Sequence, residues 1–136
     1  MKVLLFTLCQ AANIDIKNNL NILGAFDMIT ATRVPIVYSS TLVLKLRFDK
    51  RDAGKKTFRI SFIDADGKKL LPSLENEFFV TIPDESSFCC MNFIHPIYKL
   101  PLNHFGNYSI DFSIDGSLVW SFELIVAEAR KNVTPP

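Results

Sequence analysis

Two histidines, three cysteines and one short acidic turn are the residues of this chain whose types and spacing could do chemistry. Asp64-Ala65-Asp66-Gly67 sets alternate carboxylates ahead of a glycine, which is how an oxygen cage for Ca²⁺ begins. Lys68 and Lys69 follow at once, and no downstream glutamate closes the loop. Two ammonium groups beside the site oppose a divalent cation, so the reading is a turn in which Asp carboxylates accept local backbone N–H groups. His95 and His104 could join Cys9, Cys89 and Cys90 around zinc. Structural zinc wants ligand pairs at short, non-zero spacing. Cys89 and Cys90 are adjacent, and two prolines stand between or beside the histidines, so no metal site is expected. Cys90 with His95 is the one conceivable nucleophile and base. That thiol lies in the apolar run Phe88 to Ile94, an environment expected to oppose thiolate formation rather than favour it. There is no Gly-x-Ser-x-Gly elbow and no glycine-rich phosphate loop. The reading is therefore no catalytic residues, no cofactor and no metal.

Binding is the other chemistry on offer. Residues 45–69 hold nine Lys or Arg (Lys45, Arg47, Lys50, Arg51, Lys55, Lys56, Arg59, Lys68, Lys69) against four Asp. If Lys45, Arg47 and Arg59 shared the outer face of one hairpin, an anionic partner could dock there. The simpler reading is a solvated face whose charge discourages strand pairing between molecules. Over the whole chain 15 Lys or Arg nearly balance 14 Asp or Glu, which argues against a nucleic-acid binder. Tyr38, Tyr98 and Phe105 could form a stacking platform for a glycan, or could equally plug the ends of a sheet stack.

Such residues must be positioned by strands, because the apolar period is two nearly everywhere. Leu42, Leu44, Leu46 and Phe48 alternate with Lys45, Arg47 and Asp49. Phe58, Ile60 and Phe62 alternate with Arg59 and Ser61. Tyr108, Ile110, Phe112 and Ile114 alternate with Ser109, Asp111, Ser113 and Asp115. Leu118, Trp120, Phe122, Leu124 and Val126 continue the pattern after Asp115-Gly116, a strong hairpin signal. Lys17-Asn18-Asn19 marks a second hairpin, because Asn tolerates the left-handed region. Pro96 and Pro101 lack a ladder donor, so 94–101 reads as an irregular or edge segment crossing between sheets.

These signals predict an all-β fold of about eight strands: a two-sheet antiparallel β-sandwich, Ig-like or Greek-key, with a closed barrel as the alternative. The chain has 136 residues, which suits one domain, expected over 1–127 with a frayed tail at 128–136. The mean hydropathy of +0.20 is high for a small protein. It means that some strands are covered on both faces, or that an apolar patch is buried in an oligomer. No apolar run approaches the ~20 residues of a membrane span, and Lys2 to Cys9 reads as a buried strand rather than a signal peptide. An odd number of cysteines is no disulfide framework, which points to a reducing cytoplasm.

Lys2-Val3-Leu4-Leu5-Phe6-Thr7-Leu8-Cys9 with Ala11-Ala12-Asn13-Ile14-Asp15, then Leu20-Asn21-Ile22-Leu23-Gly24-Ala25-Phe26-Asp27, and finally Phe105-Gly106-Asn107-Tyr108 with Asp115-Gly116, resemble a family of uncharacterised bacterial proteins, a domain of unknown function. The resemblance implies a small bacterial β-sandwich and carries no catalytic residues. The functional expectation is a non-enzymatic binding or assembly module, with a protein partner or self-association. No nucleic acid and no membrane are expected as partners, and a glycan is an alternative ligand. The competing readings are a small hydrolase with a loop-built site and a carbohydrate-binding module.

Overall fold

The computed structural model describes residues 1–130. Its central strand is β5 (Ile36–Asp49), paired antiparallel to β1 (Lys2–Cys9) on one side and to β8 (Phe88–Leu102) on the other. A 3₁₀ turn at Lys50–Asp52 then carries the chain into a second sheet. That sheet has five strands in the order β4 (Met28–Ala31), β10 (Ser117–Glu128), β9 (Gly106–Ile114), β6 (Gly54–Asp64) and β7 (Leu74–Val80). A separate hairpin joins β2 (Ala11–Ile14) to β3 (Leu20–Leu23).

One hydrophobic core lies between the three-stranded and five-stranded sheets. Leu42, Leu44, Leu46 and Phe48 of β5 meet Phe58, Ile60 and Phe62 of β6 and Ile110 and Phe112 of β9, as their alternation requires. Phe6 of β1 sits with its ring centroid 6.0 Å from Phe112 and 5.9 Å from Phe122 of β10. Val43 points the other way, toward the outer face of the three-stranded sheet, and yet is 0% exposed. Cys9 is equally buried and outside the main core. The β2–β3 hairpin covers them: β2 contacts β5, and the Asn92 side-chain amide on β8 donates to the Asn18 carbonyl in the hairpin turn at 3.1 Å. The high mean hydropathy thus has a concrete source, a strand apolar on both faces.

Several expectations need correction. Among the described residues there are ten strands in three sheets, rather than about eight in two. The hairpin forms its own small sheet because Gly24 takes the left-handed conformation and ends β3, leaving Phe26 only an isolated bridge to Leu8. Pairing is not wholly antiparallel, since β4 runs parallel to β10. The 94–101 segment is an edge, as its prolines demand, but it does not cross between sheets. It stays paired to β5, with Thr41 opposite Pro96 and Val37 opposite Pro101, and absorbs its irregularity near Lys99, whose φ is 53°. On the tail side, Glu128 pairs with Ala31 and Ala129 donates to the Ala31 carbonyl; residues 131–136 lie outside the described residues.

Leu118 and Trp120 are the expected inward residues that the structure leaves most exposed. A bulge between Leu118 and Trp120 breaks the alternation of β10. Phe122, Leu124 and Val126 still face the core, but Trp120 is 45% exposed and Leu118 63%. Phe112→Ala should therefore cost about 3–5 kcal/mol in urea unfolding of dilute protein, as a large cavity does. Trp120→Ala should cost about 1 kcal/mol or less. Equal losses would show that Trp120 is a core residue.

Candidate functional site

The residues picked out for chemistry are dispersed over the fold. Asp64 ends β6 and folds its carboxylate back onto its own turn, Oδ1 accepting the N–H of Asp66 and of Lys68, each at 2.9 Å. This is the local Asp-to-backbone turn, with Gly67 at a φ of 82° closing it. His104 has its backbone fixed by Tyr108, whose hydroxyl donates to the His104 carbonyl at 2.7 Å and accepts the His104 N–H at 2.9 Å. The same residue lines an open hollow of about 180 Å³ with Asp64, Asp66 and Asn107. No hydrogen bond joins its imidazole to either carboxylate among the described residues.

His95 and Cys90 lie on opposite faces of β8. His95 pairs with inward-facing Leu42 and stands edge-on to the Phe58 ring, 5.9 Å between centroids. It fills a wholly apolar seam beside Phe78 and Phe93. Cys90 pairs with outward-facing Arg47. The conceivable nucleophile and base are thus held apart by the pleat itself. Burial pushes the Cys9 and Cys89 thiols up from their ordinary range. No group of three His, Cys, Asp or Glu able to hold a metal occurs among the described residues. The three aromatics do not share a platform either. Tyr38 packs edge-on against Phe26 and Phe105 packs on the core, while Tyr98 stands exposed.

The basic bias of 45–69 is split by the 3₁₀ turn. Lys45 and Arg47 occupy the outer face of the three-stranded sheet, and Arg59 the outer face of the five-stranded sheet, so they do not form one hairpin face. Four of the cations have carboxylate partners. Arg59 pairs with Glu75 at 3.3 Å, Lys55 with Glu77 at 3.0 Å and Lys56 with Asp115 at 3.8 Å. Arg51 pairs with Asp49 at 2.9 Å. Hydrogen bonding from the Arg51 side chain holds the Asp49 carboxyl down at about 2.

The feature that stands unsatisfied is a strand edge. β10 has β9 along one side, but β4 reaches only Ile125 to Glu128 on the other. Ile125 donates its N–H to the Asp27 carbonyl on the β4 side. By the two-residue period, Ser121 and Glu123 aim their N–H and C=O groups the same way. Among the described residues no strand meets them there. Exposed Leu118 and Trp120 flank this open stretch, which sequence reasoning missed because alternation does not reveal where a neighbour strand stops.

Three other edges are guarded. β8 carries Pro96, Pro101 and an irregularity, β7 carries Glu75 and Glu77, and β1 is bulged between Val3 and Leu5. Prolines, charges and bulges are the usual devices against strand addition. Between Leu118 and Leu124, β10 carries one charge, Glu123, and no proline, and its bulge lies at the Leu118 end, clear of Ser121 and Glu123.

A model described as a family of unknown function (DUF6941) matches residues 4–127. No curated protein matches the chain.

The Asp49–Arg51 pair gives a pH test. A depressed carboxyl contributes stability that is present above the unfolded carboxylate range and lost as pH falls toward 2. The acid limb of stability between about pH 4 and pH 2 should therefore be shallower in Asp49→Asn than in the parent, measured by urea midpoints across that range. Identical limbs would show that the pair does not contribute.

Proposed function

The chain belongs to that family of unknown function, and we propose that it is a non-enzymatic assembly module which associates with itself through the open edge of β10. The observation that carries this reading is the self-complementarity of that edge. Within the open stretch Ser117–Leu124, Ser121 is the outward-pointing residue nearest the middle. An antiparallel second copy with its two-fold axis at Ser121 places each outward-pointing Ser121 opposite its own equivalent. The pair then exchanges both N–H···O bonds, as a hydrogen-bonded antiparallel pair does. The same register sets Trp120 opposite Phe122 of the other copy, twice, in the closer non-hydrogen-bonded positions. Cross-strand aromatic pairs of that kind contribute about 0.2–1 kcal/mol each. Both side chains lie on the same face of the sheet, so no face is inverted by the pairing.

A symmetric contact of this type closes after two copies and does not propagate. It would also cover part of the exposed surface of Trp120. The reading takes the scaffold as an Ig-like, Greek-key sandwich, supported by one core shared between a three-stranded and a five-stranded sheet. On that scaffold the rigid edge is the binding element.

Sedimentation velocity over a concentration series should give a monomer–dimer equilibrium. Emission of the single Trp should shift to the blue as the dimer forms. Ser121→Pro removes the outward donor at a position where an edge strand tolerates proline, so it should stay monomeric and folded. A chain that is monomeric at every concentration, or a Ser121→Pro variant that dimerises like the parent, would overturn the proposal.

A further inference from the structure

A second surface, independent of the β10 edge, carries uncompensated positive charge. On the outer face of the three-stranded sheet Lys2 stands directly opposite Arg47, and Lys45 lies two residues away along β5. Like charges opposite one another across an antiparallel pair destabilise a sheet. Nothing relieves them: no carboxylate lies within ion-pair distance of Lys2, Lys45 or Arg47 among the described residues. The acids nearby are already engaged, Asp52 with the terminal amine at 3.2 Å and Asp49 with Arg51. A fold that keeps three such cations together on one face, while pairing Arg51, Lys55, Lys56 and Arg59 with carboxylates, offers a site for negative charge.

The hairpin gives this surface its shape. It covers the Val43 half of the sheet and stops over the next row, where its Asn18 carbonyl is held by Asn92, the cross-strand neighbour of Lys45. Lys45 is half-buried at the foot of that step, while Arg47 and Lys2 are exposed beyond it. The turn is stiff. The Asp15 carboxylate accepts the N–H of Lys17 at 2.8 Å and of Asn19 at 2.9 Å, and these bonds hold its own pKa down. This stiff turn presents Ile16 fully exposed, with Lys17 beside it. On the sheet, the Arg47 guanidinium lies 3.8 Å over the centroid of the Phe88 ring, which fixes its plane. Its N–H fork is then oriented for a carboxylate.

The geometry points to an extended acidic segment of a partner protein as the occupant of this ledge. Lys45 and Arg47 project from one face of a strand at a two-residue repeat, about 6.6 Å. An extended chain repeats its own side chains at the same interval, so carboxylates at alternate positions match the two cations in register. A flat bilayer would touch Ile16 and Lys17 first and would not reach Lys45 at the foot of the step, so the recess favours a protein chain over an anionic membrane.

The test uses full-length protein and a fluorescent peptide with glutamates at alternate positions interleaved with valines. Binding should be read by anisotropy, weaken as salt is raised, and be lost when the glutamates are replaced by glutamine. Lys45→Gln and Arg47→Gln should each weaken it roughly tenfold, about 1.4 kcal/mol. Lys17→Gln, on an exposed turn that cannot affect folding of the sheet, should weaken it less but measurably. Sedimentation of the parent and variants should be the same, which separates this site from the β10 edge. Peptide affinity unchanged in Lys45→Gln and Arg47→Gln would overturn the inference. So would binding of phosphatidylserine vesicles in place of the peptide with the same dependence on Lys45.

Discussion

Coverage of both faces of β5 is the constraint from which the rest of the molecule follows. Leu42 and Leu44 face the main core and Val43 between them faces the opposite way, and all three are buried. A strand apolar on both sides needs a layer on each. The five-stranded sheet supplies one layer and the β2–β3 hairpin supplies the other. The hairpin is only four residues per strand, so it covers part of the outer face and leaves the Lys45 and Arg47 rows open. The basic ledge is thus a consequence of an unequal match between a fourteen-residue strand and its short cover.

The same mismatch of lengths creates the second surface. β10 has twelve residues and β4 only four, so the parallel pair ends where β10 is still in mid-course. A bulge between Leu118 and Trp120 sets Leu118 opposite outward-facing Ser113, and both side chains are exposed in this stretch. Both proposed contacts are therefore made by strands whose partners are too short. They differ in chemistry: one is backbone pairing with aromatic flanks, and the other is charge recognition on a stiff frame. The residues with catalytic potential, by contrast, are committed to structure. His95 fills an apolar seam, Asp64 closes a turn, and Cys9 is sealed beneath the hairpin.

Much of the fold was legible because burial on one face imposes a period of two. The inward set of β5, β6 and β9 is the set that alternation picks out, and Asp115 and Gly116 take the positive φ values that their hairpin requires. Trp120 shows where such reading stops. Its place in the alternating series is sound, yet one inserted residue at the bulge changes what lies above it. The grouping of Lys45, Arg47 and Arg59 failed for a related reason, since proximity in sequence says nothing about which sheet a strand joins after a turn.

By itself the sequence determined the all-β character, the inward faces of β5, β6 and β9, the turns at Asn18, Gly67 and Gly116, and the absence of a recognisable catalytic motif. These are local properties, governed by side-chain period and by which residues tolerate which backbone angles. Only the tertiary structure decided that the hairpin forms a sheet of its own over β5, that β4 runs parallel to β10, and that the eight residues Ser117–Leu124 of β10 have no strand on the β4 side among the described residues. Those outcomes depend on strand pairings distant along the chain, and the period of a strand is the same whether its edge is paired or free.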